Sequence, residues 1–287
     1  MTNVSLRDRV AAARRDLGHP VPVVFAALLV LTQIAYPLTE GAARDRVTVL
    51  VVLLFAGTAL AHAIATRGFR YAAGFLVIVS GTGLLAELLG TATDMPFGCY
   101  SYAEGRIGPE LAGVPLVVSL AWTGGVYPVW VVAGLLTRRT ATRVPLAAVG
   151  TVGWDLFLDP QMVADGQWSW CDTDSGLPGL AQIPLTNYLG WLVVALLMAA
   201  LLAVWEHAAP APTRPRESSA TAVPVLVFLW TWLGSTLAHA LFLDLPASAA
   251  YGFLGMGLLG VPLLSRMIRL RAAPPDQGQS PVTRPAR

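Results

Sequence analysis

Long apolar runs, most of them near the 20 residues needed to cross a hydrocarbon core of roughly 30 Å, constrain this chain more than any other feature. They occupy 21–38, 47–65, 71–89, 112–136, 144–158, 185–205, 223–243 and 247–268. The sequence is 55% hydrophobic and only 13% charged, with a mean hydropathy of +0.61. These values exclude an ordinary soluble domain and predict an all-α, polytopic transmembrane bundle of about eight spans over 21–268. The fifth run is the shortest and carries Asp155, and a charge inside such a run marks a functional helix by default.

Orientation follows from arginine. The chain has 19 basic residues and no lysine. With the N-terminus inside, 16 of the 19 fall on the inner side and only Arg44, Arg46 and Arg106 on the outer, so the positive-inside rule places both termini in the cytoplasm of a multi-pass cell-membrane protein. The net charge of +2 is then a topological signal and implies no nucleic-acid partner. The Arg- and Ala-rich composition points to a GC-rich bacterial genome. The first run lacks a small-residue cleavage signature and is expected to be a retained helix. Residues 1–20 form a cytoplasmic segment, 206–222 an inner linker, and 269–287 a disordered cytoplasmic tail.

An internal duplication is visible next. Glu87, ten residues, then Gly98-Cys99-Tyr100-Ser101-Tyr102 matches Asp155, ten residues, then Gly166-Gln167-Trp168-Ser169-Trp170. The match continues from Pro115-Leu116 and Leu120-Ala121-Trp122 to Pro184-Leu185 and Leu189-Gly190-Trp191. Spans three and four (71–136) and spans five and six (144–205) thus form parallel repeats, and binding sites commonly lie at such interfaces.

Glu87 and Asp155 are the intramembrane acids that this repeat makes equivalent, and Asp159 shares a helix face with Asp155. Two carboxyls in one low-dielectric cavity supply an acid and a base; alternatively each only accepts structural hydrogen bonds. Pro160 is expected to end that helix. Asp94 lies seven residues after Glu87, in a segment that reads as loop. Asp165, Asp172, Asp174, Glu104 and Glu110 read as solvated loop carboxylates. Tyr100, Tyr102, Trp168 and Trp170 form either an interfacial belt or a wall that stabilises a cation by roughly 0.5–2 kcal/mol per ring. Cys99 and Cys171, both in outer loops, are either free or paired. Neither they nor the four scattered histidines have metal-site spacing, and no cofactor motif is present.

The segments Glu87-Leu-Leu-Gly90, Pro96-Phe-Gly-Cys-Tyr-Ser-Tyr102, Gly113-Val-Pro115, Trp154-Asp-Leu-Phe-Leu-Asp-Pro160, Gly166-Gln-Trp-Ser-Trp170 and Asn187-Tyr-Leu-Gly-Trp191 resemble a membrane carotenoid biosynthesis family that includes bacterial carotenoid 1',2'-hydratases and haloarchaeal bisanhydrobacterioruberin hydratases. The resemblance covers about residues 80–195. It implies cofactor-independent hydration of the terminal C1'=C2' double bond of an acyclic carotenoid, with lycopene, γ-carotene or a C50 precursor and water as partners. Glu87 and Asp155 are then the expected acid and base, and Asp159 positions water. Asp94, Phe97, Tyr100, Tyr102, Trp122, Trp154, Trp168, Trp170, Asn187 and Trp191 are the expected substrate-binding residues. A lycopene cyclase-like enzyme and a non-catalytic carotenoid carrier are the alternatives; prenyltransferase-type elongases are excluded because their aspartate-rich motifs are missing.

Overall fold

The computed structural model describes residues 19–209 and 221–272. The expected N-terminal segment up to residue 18, most of the linker, and the tail from residue 273 lie outside the described residues. Eight helical segments run through the described chain: α1 (Pro20–Ala35), α2 (Gly41–Arg67), α3 (Phe69–Thr93), α4 (Leu116–Leu136), α5 (Thr140–Ala164), α6 (Leu185–Ala208), α7 (Ala222–Leu241) and α8 (Pro246–Ala272). Seven of them are long and apolar enough to cross a membrane, which makes this a multi-pass membrane protein. The eighth, α5, has the length, but Asp155, Asp159 and Gln161 lower its hydropathy. It packs against α4, α6 and α8.

The helices begin and end where local chemistry dictates. Gly68 alone separates α2 from α3 at φ +89, a conformation that costs a side-chain-bearing residue. Asp94 closes α3 in the left-handed region, a conformation open to Asp and Asn as well as glycine. α7 widens into a π-helical turn at Trp230–Gly234. Contrary to expectation, Pro160 does not end α5, which continues to Ala164. Proline's missing N–H frees the carbonyl four residues back, at Leu156, and that oxygen accepts a hydrogen bond from Ser248 Oγ of α8 at 2.6 Å. A neighbouring helix thus satisfies the freed group, as membrane helices require.

The most enclosed of the seven is α4, with 72% of its apolar stretch buried. On α6 the exposed side chains include Leu185, Leu189, Val193, Leu197 and Leu201, a stripe at helical spacing suited to lipid. Polar clusters close both ends of the bundle. At one, Glu206 accepts from Arg143 at 2.6 Å, Tyr71 at 2.9 Å and Trp130 at 3.1 Å, with Arg67 at 3.4 Å, uniting α2 to α6. At the other, Asp165 is not the solvated carboxylate expected from its loop position. It is 10% exposed, ion-paired to Arg44 at 2.7 Å and bonded by the Tyr36 hydroxyl. Beside it, Arg106 pairs with Asp45 at 2.6 Å.

Among the described residues, three two-stranded ladders lie between helices. β1 (Tyr100–Tyr102) pairs antiparallel with β4 (Trp168–Trp170), β2 (Glu110–Leu111) with β3 (Val114–Pro115), and β5 (Gly176–Leu177) with β6 (Leu180–Pro184). Only the first joins segments distant in sequence. It carries the aromatic residues singled out above.

Candidate active site

Glu87 sits on a face of α3 from which neighbouring turns have been cleared. Gly83 and Gly90, one turn to either side, carry no side chain, and a Cβ at Gly83 would come within 2.7 Å of the Trp122 ring. At Gly90 it would come within 2.7 Å of Tyr100 Oη. These two glycines let a tryptophan from α4 and a tyrosine from β1 reach the carboxyl between them. Glu87 is 5% exposed. Its Oε2 accepts from Tyr100 at 2.6 Å and Tyr102 at 2.8 Å, and its Oε1 from Trp122 Nε1 at 3.2 Å.

The tyrosines are delivered by the β1–β4 ladder, in which Tyr100 faces Trp170, Ser101 faces Ser169 and Tyr102 faces Trp168. Side chains alternate along a strand, so the serines point outward and the four rings inward. Tyr100 and Trp170 lie 4.8 Å apart by centroid, Tyr102 and Trp168 5.5 Å. The Cys99–Cys171 disulfide, with a Cα separation of 5.4 Å, clamps the ladder at one end and closes the question left open by sequence. Burial, then the nearby Glu87, push both tyrosine hydroxyls well above their ordinary pKa, so they remain hydrogen-bond donors throughout the working pH range.

Across the pocket, α5 presents Asp155 and Asp159 one turn apart, 0% and 3% exposed. Asn187 of α6 bonds both: its Nδ2 donates to Asp155 Oδ2 at 3.3 Å and to Asp159 Oδ2. The pocket that Asp159 and Asn187 share with Glu87 measures about 20 Å³, room for about one water molecule. Its aromatic wall is completed by Phe97, Trp154 and the stacked pair Trp122 and Trp191, whose centroids are 3.8 Å apart.

Eleven of the thirteen residues singled out from the sequence line this pocket. Two do not. Asp155 is held behind Asn187, so Asp159 is the α5 acid that shares the pocket with Glu87. Asp94 caps α3, exposed to the surroundings. Sequence reading missed the apolar linings Val118, Ala121 and Leu158, which carry no chemical signal. It also missed the supporting glycines, whose spacing around Glu87 was available to be read. Among the described residues, no group of His, Cys, Asp and Glu is arranged to hold a metal ion.

The sequence profile of the carotenoid biosynthesis protein family matches residues 47–259, a stretch that contains every residue lining the pocket. The chain belongs to that family. No curated protein and no solved structure shows significant similarity to it.

Because the disulfide tethers segments 72 residues apart, the Cys99→Ser, Cys171→Ser double variant is expected to lose about 2–4 kcal/mol of stability. Thermal unfolding in detergent should fall by several degrees, and hydrogen exchange of the β1–β4 amides should accelerate. Unchanged exchange in the ladder would show that the clamp does not hold it.

Proposed function

We propose that this protein adds water across the terminal C1'=C2' double bond of an acyclic carotenoid, giving a tertiary alcohol without a cofactor. The observation that carries this reading is the pairing of Glu87 and Asp159 on one aromatic-walled pocket with space for about one water. Glu87 faces three donors, the environment of a carboxylate. Asp155 and Asp159 lie together and share a single amide partner, and two adjacent carboxyls hold a proton between them. Asp159 is therefore the proton donor, Asp155 and Asn187 its positioning residues, and Glu87 the base.

In the forward reaction the π pair of C1'=C2' takes the Asp159 proton, forming a C2'–H bond and leaving a tertiary cation at C1'. The surrounding ring faces stabilise that charge by roughly 0.5–2 kcal/mol each. Water, oriented by Glu87, forms the C1'–O bond and gives its proton to the Glu87 carboxylate, from which it returns to the aspartate pair. One water is consumed and both acids are restored. Protonation at a positioned acid contributes typically 10²–10⁴-fold.

The orientation proposed with this reading places both termini in the cytoplasm of the cell membrane, with the β1–β4 ladder and its disulfide outside, where disulfides persist. We also propose that 71–136 and 144–205 are parallel repeats. Ser101 faces Ser169 and Trp122 stacks on Trp191, as equivalent residues must when they straddle a two-fold axis.

Incubation with lycopene in H₂¹⁸O is expected to give a product with ¹⁸O in its hydroxyl, and in D₂O one deuterium at C2'. A product isomeric with lycopene and free of ¹⁸O would mean cyclisation. Recovery of unchanged lycopene would mean a carrier. Either result overturns the proposal.

A further inference from the structure

A second, larger cavity of about 140 Å³ lies between α1, α2, α5 and α7, on the opposite side of α5 from the aspartates. At 3.6 residues per turn, Phe157 and Asp159 point about 200° apart around the helix. Phe157 and Gln161 line the larger cavity and Asp159 the acid pocket, while Trp154, Leu158 and Ala121 line both. The two spaces are thus neighbours divided by an indole, an isobutyl group and a methyl.

The larger chamber is suited to hydrocarbon. Thr231, Ser235 and Ala238 of α7 line it at helical spacing alongside Gly234, from the π-helical turn and the segment after it, and π turns recur at functional sites. Several of its polar groups are committed to the protein. His239 Nδ1 meets Ser248 Oγ at 2.9 Å, and its Nε2 meets Gln161 Oε1 at 3.2 Å. Trp230 Nε1 donates to Gln33 at 2.8 Å. Phe55, Phe157 and Val51 supply much of the remaining wall. The acid pocket, by contrast, admits a water but not a branched five-carbon end group beside it.

We infer that this chamber holds the terminal isoprenoid segment of the substrate and passes its double bond to Asp159 at the partition formed by Trp154 and Leu158. The choice of occupant rests on the hydration reading; the division of labour is additional to it. Water and proton wait on one face of α5, and the hydrocarbon arrives on the other. The arrangement keeps the acids from bulk solvent until the end group has entered.

The test separates the chamber from the chemistry. Protein is purified from lycopene-producing cells and its bound pigment measured by absorbance, alongside hydrated product in the same cells. The variant Ala238→Phe, which places a ring in the chamber, is expected to carry at least tenfold less pigment than the parent and to form correspondingly little product, whereas Gly81→Ala, whose added methyl meets nothing within 4 Å, retains both. Asp159→Asn is expected to carry undiminished lycopene but no alcohol. Full pigment and product in Ala238→Phe overturn the chamber. Loss of pigment there, with normal product from Asp159→Asn, would uphold the chamber and sink the acid assignment. Should the phenylalanine variant not fold, Ala238→Cys introduces a single free thiol, since Cys99 and Cys171 are paired with each other. Its alkylation by N-ethylmaleimide is expected to slow at least fivefold with lycopene bound, and an unchanged rate overturns the inference.

Discussion

Replacing Asp159 by Asn is expected to lower hydrated carotenoid by 10²–10⁴-fold, equivalent to about 2.7–5.4 kcal/mol of transition-state stabilisation, with little change in folding. The amide is close in size to the carboxyl and can still accept from Asn187, which bonds Asp159 Oδ2, so the packing around α5 is kept while the transferable proton is lost. Glu87→Gln should fall in the same range. There the base disappears, and an amide N–H must face one of three donors, Tyr100, Tyr102 or Trp122. Asp155→Asn has a different expected signature because its side chain does not line the pocket. Activity should drop less and the pH profile should move, since the aspartate left at 159 no longer shares its proton with a neighbour. Product per unit of folded protein, measured by mass across pH 5–9, separates the three. Equal rates in Asp159→Asn and the parent would reject the acid assignment.

The hydrophobic runs made the bundle legible, because bilayer thickness dictates helix length and few other folds tolerate so many such runs. The boundaries of α5 were less visible. Pro160 reads as a terminator in an isolated helix, and only Ser248, 92 residues beyond the Leu156 whose carbonyl it bonds, removes the penalty for continuing. The aromatic pairs were recognisable as a duplicated pattern, but period-two alternation over three residues is too short to announce the strand pairing that turns four rings toward one carboxyl. Equivalence within the repeat favoured Asp155 over Asp159 as partner of Glu87. The geometry departs from that symmetry: Asp159 and Asn187 line the pocket and Asp155 does not, and nothing local to α5 encodes it. Glu206 passed unnoticed for a related reason: a lone acid at a helix end looks solvated until Arg143, Arg67, Tyr71 and Trp130 converge on it from other helices.

Of the glycines where one helix backbone meets another, Gly153 is the position where an added methyl should harm the fold most. A Cβ there would lie 2.6 Å from the Gly255 carbonyl carbon and 2.6 Å from Met256 N, against an ordinary contact near 3.5–4.0 Å. Backbone meets backbone at this crossing of α5 and α8, so no rotamer change relieves the overlap and the helices must separate by roughly 1 Å. Small residues drive close helix packing where lipid removes the usual hydrophobic advantage of burial. Gly→Ala improves intrinsic helix propensity by about 1 kcal/mol, whereas overpacking costs typically 1–3 kcal/mol and more when the backbone must shift, so the net effect is destabilising. Gly153→Ala is expected to lower the Tm in detergent by several degrees, and Gly153→Val to prevent accumulation of folded protein. Gly81→Ala supplies the contrast: its Cβ meets nothing within 4 Å, so only propensity acts there and stability should hold or rise. Activity should follow α5 as well as stability. Forcing α8 away weakens the Ser248 bond to Leu156 O that carries the helix past Pro160, and the turn that loosens is the one bearing Asp159. Residual folded Gly153→Ala should therefore hydrate more slowly per molecule than the parent. An unchanged specific rate would show that the α5–α8 contact sets stability alone and leaves the acid where it was.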